Sequence, residues 1–367
     1  DKYGEETLQK ICNNLKNKLS FSLNDAILKS TGQTLDQMYA HWKEQISKQY
    51  KTKHNKIKEH IFEGEIIVNE GTTNIHPVWL KSEDKFLYLS NKDKDYFSQT
   101  DLYIYNFSDS TSKKIIPGVK TKPAVINDSV FVFCKRSKPN IYGSKFYDLY
   151  KYELASDDET RLTFDARLSY PSFNESLNLI AAIGIHDGTS NIFVSDLDSI
   201  NFVKKTDFND GTFILSLDWK DDKLIFDKNN GHGRQFDCYD FKLNQKCANS
   251  DILDLYDRGN SFESRDIVFD EDKEGIIFSS DKENGIHNLF MKNENKSKPL
   301  TCTWGGAFMP SISKGNKILY SLYSDGSYTD LLKTTGGTSL SKTSGYMIMK
   351  GKEVFKNLKN LKKVLRC

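Results

Sequence analysis

An internal repeat of about 46 residues is the feature that most constrains the fold of this 367-residue chain. From Glu63 onward, apolar and polar residues alternate with a period of two, as they do in half-buried strands. The stretch "HPVWLKSEDKFLYLSN…TDLYIYNF" contains an apolar strand that begins near Pro77, a polar turn, a second strand, a loop, and a third strand opened by a polar residue. The stretch "MPSISKGNKILYSLYSDG…TDLLK" has the same order of parts. Six polar residues, 42 to 51 positions apart, open third strands in this way: Asp101, Asp148, Asn191, Asp237, Asn288 and Asp330.

Each copy also has an apolar residue at the same place in its first strand: Trp79, Val125, Phe173, Leu217, Phe269 and Ile312. A repeat of this length with three or four strands corresponds to one blade of a β-propeller. We therefore predict a mainly β chain, with a six-bladed β-propeller over residues 63–343 and a short N-terminal α-helical segment. The last copy lacks a fourth strand, while "GEIIVNEG" precedes the first copy. We expect residues 66–68 to pair with the last blade and close the ring, which removes two exposed sheet edges.

Residues 1–60 follow a helical pattern instead. In "TLDQMYAHWKEQISKQY" the apolar residues fall on one helical face, and Thr34 and Gln37 are spaced as a capping box. Ser22 and Asp25 open "SLNDAILKS" in the same way, and "YGEETLQKICNNLKNKL" predicts a third helix. We interpret this segment as the end of a larger domain and the chain as a fragment or a processed form. The stretch "KTKHNKIKEH" is interpreted as a solvated, charged connector.

Residues 344–367 form a basic tail with seven Lys or Arg and one Glu from Lys350 onward. Its apolar residues lie near helical spacing, which is compatible with an amphipathic helix that binds a membrane surface or a partner. The other interpretation, which we favour, is a frayed terminus, because the tail matches nothing in the repeat.

The repeats resemble those of TolB-type six-bladed propellers. That unit runs from a proline and an apolar or aromatic residue through a polar turn and a strand to an Asp-Leu strand. The copies "HPVWLKSEDKFLYLSN…DLYIY" and "MPSISKGNKILYSLYSDG…DLL" match it best, whereas "FILSLDWKDDKLIF" lacks the proline. The resemblance implies a non-catalytic scaffold that binds a protein or a peptide in the bacterial cell envelope, and therefore a periplasmic or secreted location.

The helical segment is similar to the last helices of peptidase MA-like domains, which are zinc metallopeptidases of the gluzincin type. The match consists of spaced Tyr3, Gly4, Gly32, Leu35 and Trp42. Catalysis in that family requires an HExxH helix, in which two His bind zinc and the Glu activates water, and this sequence contains no HExxH. The alternative hypothesis is therefore an accessory propeller part of a zinc metallopeptidase whose HExxH domain lies upstream of Asp1. A sugar-binding or sugar-cleaving propeller is a third hypothesis.

Charge and motifs exclude several other functions. The 52 basic and 50 acidic residues leave a net charge of only +2, so the chain lacks the overall positive field of a nucleic-acid binder. The sequence has no GxSxG elbow, no phosphate-binding loop and no apolar stretch long enough to span a membrane. We predict no cofactor, no metal, no nucleic-acid partner and no catalytic residue. The predicted partner is a protein or a peptide, with a membrane-associated partner as one option.

The candidate binding residues lie in loops that a propeller would open on one face, at the rim of its channel. His76 precedes a first strand, and three further histidines fall between second and third strands: His186, His232 and His287. Trp304 and Phe308 belong to the loop "TWGGAFMP" before the sixth first strand, where they either pack between blades or form a contact surface. A shared metal site is not expected, because the histidines belong to blades spread around the ring.

The six cysteines show no zinc-finger spacing. Cys238 and Cys247 flank "YDFKLNQK", which is typical of a hairpin, and would face each other across it. Because sequence alone cannot fix the geometry that a disulfide needs, we favour two unpaired cysteines.

Overall fold

A computed structural model describes residues 3–16, 22–58, 61–231, 233–247, 262–270, 275–293 and 296–334. The helices, all close to the N-terminus, are α1 (Thr7–Lys16), α2 (Leu23–Thr31) and α3 (Leu35–Lys58). The charged stretch expected as a connector continues α3 as far as Lys58, and Ile57 within it is buried. The predicted basic tail lies outside the described residues.

Both predicted helix caps are present. The hydroxyl of Ser22 accepts a hydrogen bond from the backbone N–H of Asp25 at the start of α2. At the start of α3, Gln37 Oε1 accepts from the N–H of Thr34, and Thr34 Oγ1 accepts from the N–H of Gln37. This reciprocal pair is a capping box, so the start of α3 is determined locally by its sequence.

The strands form six antiparallel sheets of four strands each, which are the blades of a propeller. Blade 1 contains β2 (Asn74–Trp79), β3 (Lys85–Ser90), β4 (Asp101–Asn106) and β5 (Thr111–Ile116). Blade 2 contains β6 (Ala124–Val125), β7 (Val130–Arg136), β8 (Tyr147–Glu153) and β9 (Asp158–Arg161). Blade 3 contains β10 (Leu168–Asn174), β11 (Leu179–His186), β12 (Thr189–Asp196) and β13 (Val203–Lys204).

The second half of the ring repeats this order. Blade 4 contains β14 (Phe213–Lys220), β15 (Lys223–Asn229), β16 (Arg234–Asp240) and β17 (Gln245–Lys246). Blade 5 contains β18 (Ser264–Asp270), β19 (Gly275–Ser280), β20 (Asn288–Asn293) and β21 (Lys296–Pro299). Blade 6 contains β22 (Ala307–Ile312), β23 (Lys317–Ser324), β24 (Ser327–Thr334) and β1 (Glu65–Val68). All six predicted apolar positions lie on first strands and all six polar positions lie on third strands, so the repeat assignment is confirmed.

Ring closure also follows the prediction. Strand β1 pairs antiparallel with β24, with Glu65 opposite Leu332 and Ile66 opposite Leu331. Next to β1, the backbone N–H of Gly64 donates a hydrogen bond of 2.9 Å to the hydroxyl of Tyr320 on β23. The outermost strand of the last blade therefore comes from the chain segment that precedes the first blade.

The apolar core is divided among the six interfaces between neighbouring blades. Each interface has its own cluster of buried side chains contributed by both blades. Between blades 1 and 2, for example, Leu87 and Leu102 pack in one cluster with Phe131 and Phe133. At the closing interface, Val68 of β1 and Leu319 of blade 6 share a cluster with Phe86 of blade 1. Each blade thus depends on its two neighbours to bury both faces of its sheet.

The expectation of two unpaired cysteines is wrong. Cys238 on β16 and Cys247, directly after β17, form a disulfide, with their Cα atoms 5.3 Å apart. The backbone N–H of Cys247 donates to the carbonyl of Cys238 over 3.0 Å. This cross-strand hydrogen bond places the two residues directly opposite each other, which is the geometry that the sequence alone could not establish.

Candidate functional site

The two ends of the propeller differ in their connections. We call one end the loop face: it carries the loops from second to third strands and from each blade to the next. The other end, the turn face, carries the turns between first and second strands and between third and fourth strands. On the turn face, short polar contacts join the turns of different blades. Ser82 N–H donates to Asp128 of blade 2 over 2.9 Å, and Gly315 N–H of blade 6 donates to Glu83 over 2.8 Å.

The polar residue near the start of the third strand fixes a loop on the loop face in four of the six blades. In four blades its side-chain oxygen accepts a hydrogen bond from a backbone N–H in the connection to the next blade. The acceptors Asp101, Asp148, Asn191 and Asn288 bind the N–H groups of Gly118, Asp165, Phe208 and Thr303 at 2.8 to 3.1 Å. This explains why Asp or Asn recurs at these positions: only an acceptor side chain can satisfy these N–H groups.

The first strands surround the central channel, and five of the six carry a β-bulge. At four bulges one residue has a left-handed backbone, with φ of 53° or 54°: His76, Tyr170, Asp266 and Met309. This conformation costs a non-glycine residue about 1 kcal/mol, and the bulge turns these four side chains toward the channel. The resulting cavity has a volume of about 20 Å³, which is room for roughly one water molecule.

His76 lies inside this cavity rather than in a loop. The prediction placed it just before the first strand, but the structure places it within β2, at the bulge. Its Nε2 is 3.2 Å from the hydroxyl of Tyr170, and the two rings meet edge to face. Burial lowers the pKa of His76 to about 4, and the carboxylate of Asp266 opposes this only in part. His76 is therefore neutral at neutral pH and acts as a hydrogen-bonding core residue between blades 1 and 3.

The charged groups around the channel are paired with one another. Arg234 binds Asp227 through Nε, which is 3.1 Å from both carboxylate oxygens. Burial raises the pKa of Asp227 to about 6, and the guanidinium of Arg234 opposes this shift. Arg265 Nε lies 3.0 Å from Asp266. The first pair joins β15 to β16 within blade 4 and the second lies within β18, so each of these cations is neutralised locally by a carboxylate.

His287 and Phe308 lie close together, next to the first strands of blades 5 and 6. His287 Nδ1 is 3.2 Å from Ser279 Oγ, and its ring centre is 5.1 Å from that of Phe308. Burial lowers the pKa of His287. The guanidinium carbon of Arg265 lies 5.3 Å from the ring centre of Phe308, which is within cation–π range. Blades 5 and 6 thus share a half-buried aromatic and cationic cluster.

The remaining candidates have different environments. Trp304 stacks on His54 of α3 with ring centres 3.8 Å apart, so one of its contacts is with the N-terminal helix. His186 is exposed at the end of β11, beside Phe193. His232 lies outside the described residues. In the part of the chain that the structure describes, no three His, Cys, Asp or Glu side chains are grouped so that they could hold a metal ion.

Exposed apolar side chains of the propeller concentrate on the loop face, which sequence reasoning missed. Eight large apolar residues are exposed in its loops or strand ends: Tyr96, Phe97, Ile141, Tyr142, Phe164, Ile185, Phe213 and Tyr323. On the turn face, within the described ranges, the corresponding residues are Leu243 and Val203, the first residue of β13. Most globular surfaces scatter such residues singly, so a concentration on one face indicates an interaction surface. Aromatic pairs inside polar loops, such as "DKDYFSQ", were the available sequence signal.

Arginine is distributed in the same way. Five arginines fall within the described residues, and all five lie in loops or strand ends of the loop face: Arg136, Arg161, Arg167, Arg234 and Arg265. Exposed lysines, by contrast, also lie on the turn face, as Lys242 and Lys314 do. Arginine and aromatic side chains dominate the residues that contribute most to protein–protein binding.

The fold and this face define a closed six-bladed β-propeller with an apolar, arginine-bearing loop face. No family model matches the chain, and no curated protein matches it in sequence. Among solved structures, TolB from Acinetobacter baumannii matches with a TM-score of 0.50 and 15% identity, over 71% of this chain and 63% of that one. The aligned region is thus less than two thirds of the A. baumannii protein.

Two further propellers match at lower similarity. The putative TolB from Agrobacterium tumefaciens has a TM-score of 0.47 and 12% identity, over 72% of this chain and 91% of that one. The propeller domain of the Trilobed protease from Pyrococcus furiosus has a TM-score of 0.47 and 11% identity, over 77% of this chain and 100% of that domain. At such identities the shared property is the fold, which is that of TolB-like propellers. The likeness of the helices to peptidase MA-like domains stays a prediction. None of the described helices is both long enough and apolar enough to cross a membrane.

The buried state of His76 predicts a specific pH dependence of stability. In the unfolded chain a histidine has a pKa of about 6.5, so between that pH and about 4 the unfolded state binds a proton that native His76 does not. Acidification from pH 7 to 4 should therefore lower the free energy of unfolding by about 3 kcal/mol through this residue. His76→Asn, which tolerates the left-handed backbone, should lose less stability over this range in urea unfolding. The control His186→Asn, at an exposed site, should behave like the wild type, and the same pH dependence in His76→Asn would contradict this assignment.

Proposed function

We propose that the chain is a non-catalytic TolB-like propeller scaffold whose loop face binds a protein or an extended peptide in the bacterial cell envelope. The observation that carries this proposal is the concentration of exposed apolar side chains on the loop face. All five arginines within the described residues lie on the same face. A partner that covers such a face would gain hydrophobic burial and cation–π or bidentate contacts at the centre of the interface.

The way the loops are held supports the same proposal. The side chains that open the third strands fix the connections between blades, so the loop face needs little ordering on binding. A preorganised surface avoids the entropy cost that each immobilised side chain or loop adds to association. The cavity among the first strands has a volume of only about 20 Å³, and this favours recognition on the face over enclosure of a small ligand in that cavity.

The disulfide supports the cell-envelope part of the proposal. Disulfides persist in oxidising compartments such as the periplasm and are rare in a reducing cytosol. The pair Cys238–Cys247 is therefore expected to be oxidised in the native cell, whereas the free thiol of buried Cys134 is expected to stay reduced. Thiol blocking at lysis followed by non-reducing peptide mapping measures both. Recovery of Cys238 and Cys247 as blocked thiols would contradict an oxidising location.

A comparison of the two faces tests binding directly. We expect the full chain to enrich peptides from a random phage-displayed library, and Ile141→Ser/Tyr142→Ser to reduce the affinity of the selected peptides by about tenfold, through loss of apolar burial. Both side chains are more than 80% exposed, at 91% and 84%, so the fold should be unaffected. Leu243→Ser on the turn face is the matched control and should bind like the wild type. Equal effects of the two variants, or no enrichment at all, would refute binding at the loop face.

A further inference from the structure

Blade 2 carries a group of cations on the loop face that lack a carboxylate partner. Lys120, Arg136 and Arg167 lie in the connection before β6, at the end of β7 and just before β10, and we call them the basic patch. Among the described residues, none of the three forms an ion pair, although the other three described arginines all do. Lys138 and Lys145, in the loop between β7 and β8, add two more exposed cations beside the patch.

The arginines of the patch are held by aromatic rings rather than by acids. The guanidinium carbon of Arg167 lies 4.4 Å from the ring centre of Phe146, and that of Arg136 lies 5.4 Å from the ring centre of Tyr147. Backbone hydrogen bonding between Phe146 and Ser137 joins the two positions, with a distance of 2.8 Å from Ser137 N to Phe146 O. Stacking fixes the plane of a guanidinium while leaving its N–H donors available to an anion.

The cations of the patch are close enough to repel each other. Burial lowers the pKa of Lys120, and the positive charge of Arg136 lowers it further, while Asp101 opposes them. Asp165, an acid in the connection that also carries Arg167, is already engaged: it accepts from Asn140 Nδ2 at 3.0 Å and lies 3.5 Å from Arg161. The patch therefore retains uncompensated positive charge that an acidic ligand would neutralise.

An ordered apolar tip stands beside the patch. Ile141 and Tyr142 are 91% and 84% exposed at the tip of the β7–β8 loop. Asn140 holds this tip, because its Oδ1 accepts from the N–H groups of Tyr142 and Ser144, each at 3.0 Å. Two large side chains are thus presented to solvent on a fixed turn, next to the unpaired cations.

We propose that the basic patch of blade 2 binds an acidic segment of the partner protein, with carboxylates on Arg136 and Arg167 and an apolar side chain against Ile141 and Tyr142. The guanidinium groups offer paired N–H donors that match the two oxygens of a carboxylate. A nucleic acid fits less well, since its binding depends on neutralising many phosphates and the whole chain carries a net charge of only +2. This inference rests on the proposed function and specifies the chemistry of the partner.

The test uses the full chain and a random phage-displayed peptide library. Wild-type protein is compared with Arg136→Gln/Arg167→Gln and with a control, Lys242→Gln/Lys314→Gln, which removes the same charge from the turn face. We expect wild type and control to enrich peptides rich in Asp and Glu. The selected peptides, synthesised and titrated by fluorescence anisotropy, should bind the arginine variant about tenfold or more weakly, since two charge-assisted contacts are lost. Circular dichroism melting of all proteins shows whether the fold is retained.

The outcomes separate this inference from the proposed function. If the enriched peptides are not acidic, or bind the arginine variant as well as the wild type, the acidic-segment inference is overturned. If those same peptides lose affinity to Ile141→Ser/Tyr142→Ser, peptide binding at the loop face still stands. Enrichment by none of the proteins overturns both. Binding to anionic phosphatidylglycerol vesicles or to single-stranded DNA that requires the two arginines, without selection of acidic peptides, overturns the inference in favour of a lipid or nucleic-acid surface.

Discussion

Closure of the ring by β1 is the constraint on which the rest of the molecule depends. A blade of four strands cannot bury both of its faces alone, and the six apolar clusters each need side chains from two neighbouring blades. The last of these interfaces exists because Val68 of β1 packs with blades 6 and 1. Pairing of β1 with β24 also covers the edge that blade 6 would otherwise expose. The ring is thereby held by one non-local pairing across almost the whole described chain.

The closed ring determines what each end of the molecule can do. First strands that converge on the axis leave a small cavity, which is lined in part by side chains at the bulges, such as His76 and Tyr170. The turn face is tied together by contacts between turns, such as the one between Ser82 and Asp128. The connections between blades emerge at the loop face, where four of them are held by Asp or Asn side chains. Variation in these loops is tolerated by the core, so exposed aromatic and arginine residues can accumulate there at little cost in stability.

Much of the fold could be predicted because the same structural unit occurs six times in the sequence, so a pattern that is weak in one copy can be recognised from the others. A polar residue such as Asp101 or Asn288 recurs at one position, and it fixes a loop in four blades. In the other two blades, Asp237 binds Lys228 and Asp330 accepts from Ser321. The site could be predicted less well, because single residues carry no such redundancy. The sequence around His76 is typical of a loop, but the residue lies at a bulge within β2 and is buried. Trp304 stacks on His54, a residue of α3 that is distant in sequence, so local sequence could not indicate the contact. Which apolar loop residues are exposed, as Tyr142 is, depends on the assembled ring and not on the local sequence.

The central claim is that the loop face, and not the turn face, meets the partner. The most direct measurement replaces either Tyr142 or Leu243 with a photo-crosslinking amino acid in the cells that make the protein, irradiates them, and identifies the adducts by mass spectrometry. Both positions are well exposed, at 84% and 62%, so they report on their faces equally. The account predicts a defined protein adduct from position 142 that is absent from position 243, with the contact mapped to an acidic segment of the partner. Adducts of equal yield from both positions, or from position 243 alone, would contradict it.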